Sequence, residues 1–98
     1  MLTVDVSRRV VSFNQLHFPV KATPSRILTL LLRNQGHVVS RPTIYREIWG
    51  YQFDPGTKII DVQICYLRKL LKTLDAPVEI KTLRGKGLCL QVTVRRTA

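Results

Sequence analysis

The chain has 98 residues, enough for one hydrophobic core and too few for two. Its hydrophobic content of 45% is too high for a disordered polymer, and no apolar run approaches the roughly 18–20 residues of a membrane span. Sixteen Lys and Arg against six Asp and Glu leave a net charge of +10, which draws polyanions: nucleic acid first, an acidic membrane surface second.

The first twenty residues alternate. Leu2, Val4 and Val6 interleave with Thr3, Asp5 and Ser7, and Val11 and Phe13 follow a polar turn. Beyond a second turn at Asn14-Gln15, Leu16, Phe18 and Val20 alternate with His17 and Pro19. Period-two patterning with turns this close predicts a small antiparallel meander, polar on one face. Pro19 belongs at an edge or a strand end, because it cannot donate to the ladder. Asp5, Arg8 and Arg9 in the opening segment do not suit a secretory leader, so a cytoplasmic location is expected.

Thr23-Pro24 predicts the start of a helix, with Thr23 as N-cap and Pro24 in the first helical position. Ile27, Leu28, Leu30, Leu31 and Leu32 make its middle apolar around much of the girth, so it is expected at the centre of the core. Asn34-Gln35-Gly36 ends it, Gly36 being free to turn left-handed. Ser40 caps a short second helix through about Ile48, with Ile44, Ile48 and Trp49 inward. The breaker-rich segment Gly50–Gly56 is a loop that still holds Tyr51 and Phe53. A longer third helix is expected from about Thr57 to Leu74. After Asp75-Ala76-Pro77 come two strands, Val78–Leu83 and Leu88–Val94, around the turn Arg84-Gly85-Lys86-Gly87. The fold class is therefore α+β: a meander, three helices and a hairpin, in a single domain over residues 1–98.

The third helix carries the functional signal. At 100° per residue, Ile60, Ile64, Leu67, Leu71 and Leu74 fall within about 40° of one line and face the core. The opposite arc gathers Lys58, Val62, Cys65, Lys69 and Lys72, with Tyr66 and Arg68 at its margins. A face kept only for solubility more often pairs Glu with Lys. A helix in a DNA groove uses both kinds of residue found here, cations for phosphates and short or flat side chains for base edges. Lys81, Arg84 and Lys86 cluster at the hairpin turn, where Gly85 and Gly87 are expected to let the backbone approach a ligand. The bland alternatives are a solvated helix face and an ordinary basic hairpin.

Cys65 and Cys89 have no Cys or His at ligand spacing, and His17 and His37 stand apart, so neither a metal site nor a disulfide framework is expected. The carboxylates are scattered, no Ser or Cys has a His at motif spacing, and Gly85–Gly87 lacks the helix of a nucleotide fingerprint. Neither an enzyme nor a cofactor is expected.

Four stretches, TPSRILTLLLRNQGHVVSR (Thr23–Arg41), EIWGYQFDPGT (Glu47–Thr57), IDVQICYLRKLL (Ile60–Leu71) and IKTLRGKG (Ile80–Gly87), resemble the OmpR/PhoB-type winged-helix domains. These form the output half of many two-component response regulators, and the N-terminal meander is typical of them. The resemblance implies binding of double-stranded DNA by the third helix in the major groove and by the hairpin wing (78–94) on the backbone or minor groove, commonly as tandem dimers. It implies backbone contacts at Lys58, Gln63 and Arg68, wing contacts at Thr82 and Arg84, and an internal ion pair at Asp61. The loop holding Gly50, Tyr51, Gln52 and Asp54 is similar to the segment that touches RNA polymerase in some members. No membrane contact is implied for this domain. Some relatives carry a receiver domain, absent from this sequence, and others sit at the cytoplasmic end of a membrane-bound activator.

The chain departs from that pattern at Cys65-Tyr66, where many relatives have two arginines, so reduced dependence on guanine is expected. Arg26 stands in place of the acid of the first helix's capping box, and Leu88-Cys89 in place of an aromatic and a basic residue, which removes one phosphate contact. The alternative reading is a winged-helix interaction module that has lost specific DNA readout, favoured by Cys65-Tyr66 and opposed by the retained charge.

Overall fold

The computed structural model describes residues 1–93. Three short strands open it, β1 (Thr3–Asp5), β2 (Val10–Phe13) and β3 (Leu16–Pro19), paired antiparallel in the order β1-β2-β3. The turn between β2 and β3 puts Asn14 and Gln15 at φ 48° and 68°, the left-handed pair of a two-residue hairpin. Register aligns Val4, Val11 and Phe18 in one row and Thr3, Ser12 and His17 in the next. Val11 is fully buried, while on the neighbouring row Ser12 Oγ meets His17 Nδ1 at 2.7 Å. Pro19 ends an outer strand, as its missing donor requires.

Helix α1 (Ala22–Arg33) supplies Ile27, Leu28 and Leu31 to the centre of the core. It starts earlier than expected. Lys21 is the N-cap and makes no side-chain cap, so Thr23 lies inside the first turn and Pro24 two residues into the helix. Proline is tolerated there because first-turn N–H groups lack intrahelical partners in any case. With Thr23 no longer the cap, Arg26 interrupts no capping box; its Nη2 instead donates to the Glu47 carbonyl at 3.4 Å.

Ser40 does cap the second helix, its Oγ accepting from the Thr43 amide at 3.2 Å. That helix, α2 (Arg41–Ile44), widens into a π-type turn over Tyr45–Trp49, which Gly50 closes at φ 72°. The buried Tyr45 hydroxyl donates to the Thr57 carbonyl at 3.0 Å, anchoring the far end of the loop. Helix α3 (Ile59–Leu74) buries the expected stripe of Ile60, Ile64, Leu67, Leu71 and Leu74 against α1 and the hairpin.

The hairpin pairs β4 (Val78–Leu83) with β5 (Gly87–Val92). The expected extension to Val94 lies outside the described residues. Gly87 through Leu90 are all buried, which departs from simple alternation. The cause is the segment after α1. Val39 and Leu88 exchange amide–carbonyl bonds at 2.7 and 2.9 Å, and the Gly36 amide donates to the Leu90 carbonyl at 2.9 Å. Gly87 therefore serves a protein contact and not a ligand: a Cβ there would sit 2.2 Å from the Val39 carbonyl oxygen.

Candidate nucleic-acid interface

Once the apolar stripe of α3 is buried, its opposite arc must face outward. Lys58, Val62, Cys65, Lys69 and Lys72 are all exposed, Val62 to 63%. Gln63 is half-buried on one margin. Thr82, Arg84 and Lys86 are exposed on the hairpin, and Lys81 pairs loosely with Glu79 at 3.7 Å. Two flanks of α3 are thereby distinguished: one leads to the hairpin, the other to the start of α1.

Two residues expected on the open face have other engagements. Tyr66 is half-buried: its hydroxyl accepts from the Lys21 amide at 3.3 Å, and the Lys21 ammonium stands 5.8 Å from its ring centroid. This corrects the expectation of an exposed ring, because the margin it occupies is covered by the entry to α1. Arg68 reaches the other way. Its Nε and Nη2 donate to the Ile80 carbonyl at 3.0 and 2.8 Å, and Nη2 also to Thr82 Oγ1 at 3.0 Å. Both Arg68 and Thr82, expected as backbone contacts, thus brace the hairpin against α3.

Lysine cannot span both acceptors as the planar fork does. Arg68→Lys is therefore expected to lower stability by about 1 kcal/mol in urea unfolding and to speed amide exchange along β4. Unchanged exchange would remove the bracing role.

Asp61 accepts from Arg41 Nη2 at 2.8 Å, the ion pair expected of that position, with Arg41 as the partner that sequence spacing did not reveal. Arg41 also lines a shallow groove of about 200 Å³ with Asp54, Gly85 and Lys86, so the hairpin turn lies beside the loop after α2. The exposed loop holds Gly50, Tyr51, Gln52 and Asp54, and Asp54 Oδ1 accepts from the Gly56 amide at 2.7 Å. Its rings form a ladder not foreseen from the sequence. Trp49 and Tyr51 stack at 6.4 Å, Tyr51 and Phe53 at 6.2 Å, and Phe53 is 71% exposed. Cys89, in contrast, is buried and offers nothing to a ligand, while Cys65 is a free exposed thiol. No cluster of His, Cys, Asp or Glu suited to a metal occurs among the described residues, and no described helix is long and apolar enough to cross a membrane.

A meander, three helices and a hairpin braced on the third helix define a winged helix. The chain belongs to the family described as transcriptional regulatory protein, C terminal, whose model matches residues 16–90. It is 34% identical over 90 residues to the response regulator ArlR of Staphylococcus aureus, covering 92% of this chain and 41% of that protein. It therefore spans less than half of that relative's length. Among solved structures it is similar to the DNA-binding domain of CpxR from Escherichia coli, with TM-score 0.76, 28% identity, and 95% and 92% of the two chains covered. The DNA-binding domain of Escherichia coli CadC gives TM-score 0.79 at 26% identity, covering 93% and 86%. The RstA DNA-binding domain of Klebsiella pneumoniae, solved in complex with the RstA box, gives 0.74 at 26% identity, covering 92% and 90%.

Proposed function

We propose that this domain binds double-stranded DNA sequence-specifically as the output module of a bacterial transcription regulator, with α3 in the major groove and the wing on the adjacent backbone. The observation that carries this reading is the set of exposed cations, Lys58, Lys69 and Lys72 on the outer arc of α3 and Arg84 and Lys86 at the hairpin turn. Those cations meet phosphates and set the register. Val62 and Cys65 lie between them with room to meet base edges and thymine methyl groups. Tyr66, held on Lys21, and Arg68, held on the wing, position the surface and leave direct readout to Val62 and Cys65. Reduced dependence on guanine follows.

The RstA domain solved with its DNA box and the CpxR and CadC DNA-binding domains support the reading. The family relation supports head-to-tail tandems on repeated half-sites. The exposed Tyr51 and Phe53 rings, together with Gly50, Gln52 and Asp54, suit a protein contact beside the DNA, for which RNA polymerase is the proposed partner. A cytoplasmic site of action accords with this role.

Selection of duplexes from a random pool by the purified domain, at about 150 mM salt, tests the proposal. Enrichment of a half-site repeated at about 10–11 base pairs supports a tandem regulator. A folded protein that enriches nothing overturns specific readout and leaves the interaction-module reading. Binding is expected to fall with salt at a log–log slope of about −4 to −5, and Arg84→Ala to flatten that slope by about one unit on every sequence.

A further inference from the structure

A second group of cations lies on the flank of α3 away from the hairpin. Arg8 and Arg9 occupy the turn between β1 and β2, and Lys21 precedes α1. The Val20 amide donates to the Arg9 carbonyl at 3.0 Å, which ties that turn to the entry of α1. The Lys21 amide donates in turn to the Tyr66 hydroxyl, which ties the entry to α3. The result is an open groove of about 470 Å³ lined by Arg8, Arg9, Pro19, Val20, Lys21 and Tyr66. Asp5 Oδ1 accepts from the Arg8 amide at 2.9 Å, while its other oxygen stays 3.9 Å from Arg8 Nε and the Arg8 side chain is 85% exposed, so the guanidinium charge remains available.

The groove directly adjoins the face assigned to DNA. Tyr66 follows Cys65 in the chain and lies one helical turn beyond Val62, both exposed. The wing rises on the other flank, where Arg68 grips Ile80. A helix with its side chains is about 10–12 Å across, close to the width of the major groove, so α3 in that groove has a phosphate strand on each side. The wing accounts for one strand. Cations on the opposite flank stand where the second passes, and a guanidinium fork matches the geometry of phosphate oxygens.

We propose that Arg8, Arg9 and Lys21 form a second phosphate-binding cradle, gripping the DNA strand across the major groove from the wing. This rests on the DNA reading of α3 above. It makes the N-terminal meander part of the binding surface, so that the duplex is held from both sides of α3.

The test uses the 98-residue chain and a fluorescent duplex of mixed sequence, since phosphate contacts do not depend on sequence. Arg8→Gln with Arg9→Gln is expected to weaken binding about tenfold and to flatten the salt slope by about 1–2 units. Arg8→Lys with Arg9→Lys is expected to keep the slope. Phosphate ethylation interference is expected to lose signal only on the strand opposite the wing. Arg26→Gln with Arg33→Gln removes equal charge from a separate groove, between α1 and the π-type turn, and is expected to leave the slope near that of the parent. Thermal unfolding of each variant confirms that it folds. A parental slope in the Arg8/Arg9 glutamine variant, or equal flattening by the Arg26/Arg33 control, overturns the cradle while leaving DNA binding by α3 intact. A parent protein that binds no duplex overturns both.

Discussion

Gly87→Ala is expected to lower the thermal unfolding midpoint by roughly 12–24 °C, equivalent to about 3 kcal/mol. Two effects coincide at this residue. Its φ of 144° lies outside the range side chains readily accept, and an added Cβ would meet the Val39 carbonyl oxygen at 2.2 Å and Ser40 Cα at 2.8 Å. The obstacles are backbone atoms, so no rotamer change relieves them. The chain must part at the Val39–Leu88 bridge, one pair in from the turn of the hairpin. Gly85 supplies the comparison: its φ is 74°, but nothing lies within 4 Å of an added Cβ. Gly85→Ala is accordingly expected to lose about 1 kcal/mol, the conformational part alone. Similar midpoints for the two variants would mean that the clash at Gly87 is readily relieved.

Val62→Glu is expected to reduce duplex affinity at least about 100-fold while changing stability by less than about 0.5 kcal/mol. Val62 is 63% exposed in the interior of α3, and glutamate is as good a helix former, so folding has little at stake. Against DNA the same substitution puts an anion at the middle of the contact, flanked by phosphates and desolvated as the groove fills. Fluorescence anisotropy at about 150 mM salt, read beside urea unfolding, separates the two outcomes. A variant that binds DNA normally would return the outer arc of α3 to an ordinary solvated face.

The order of elements was legible in the residues because the hydrophobic period changes cleanly from two to 3.6 and back, with Asn14-Gln15, Gly36, Gly50 and Arg84–Gly87 marking the joints. Ser40 as a cap and the Ile60–Leu74 stripe needed only local geometry. One departure is local and the others involve partners distant in sequence. Thr23-Pro24 carried the signature of a helix start, but the first turn tolerates both residues inside it. The widening at Tyr45–Trp49 accompanies the Tyr45 hydroxyl bonding twelve residues ahead, a contact no helical wheel contains. The wheel likewise put Tyr66 and Arg68 at the margins of the outer arc without saying what covers each margin. Folding bonded one to Lys21 and the other to Ile80, so both serve the protein's own packing, Tyr66 half-buried and Arg68 still exposed. The charge of Arg8 and Arg9 was visible at once, but their relation to α3 came only with the register of the meander.

The Val39–Leu88 bridge and the Arg68 fork have a joint consequence for the choice of binding site. They link the hairpin to the rest of the domain from two directions, leaving little freedom to vary the span between the wing turn and the exposed side of α3. The protein is then a caliper of nearly fixed opening. In the proposed complex, the duplex makes the adjustment, and its energy depends on how easily particular base steps bend, twist or change groove width. Sequences that relax to the span without strain gain affinity at positions no side chain touches. Preference in such sites is set as much by the stiffness of the DNA as by the residues that face it.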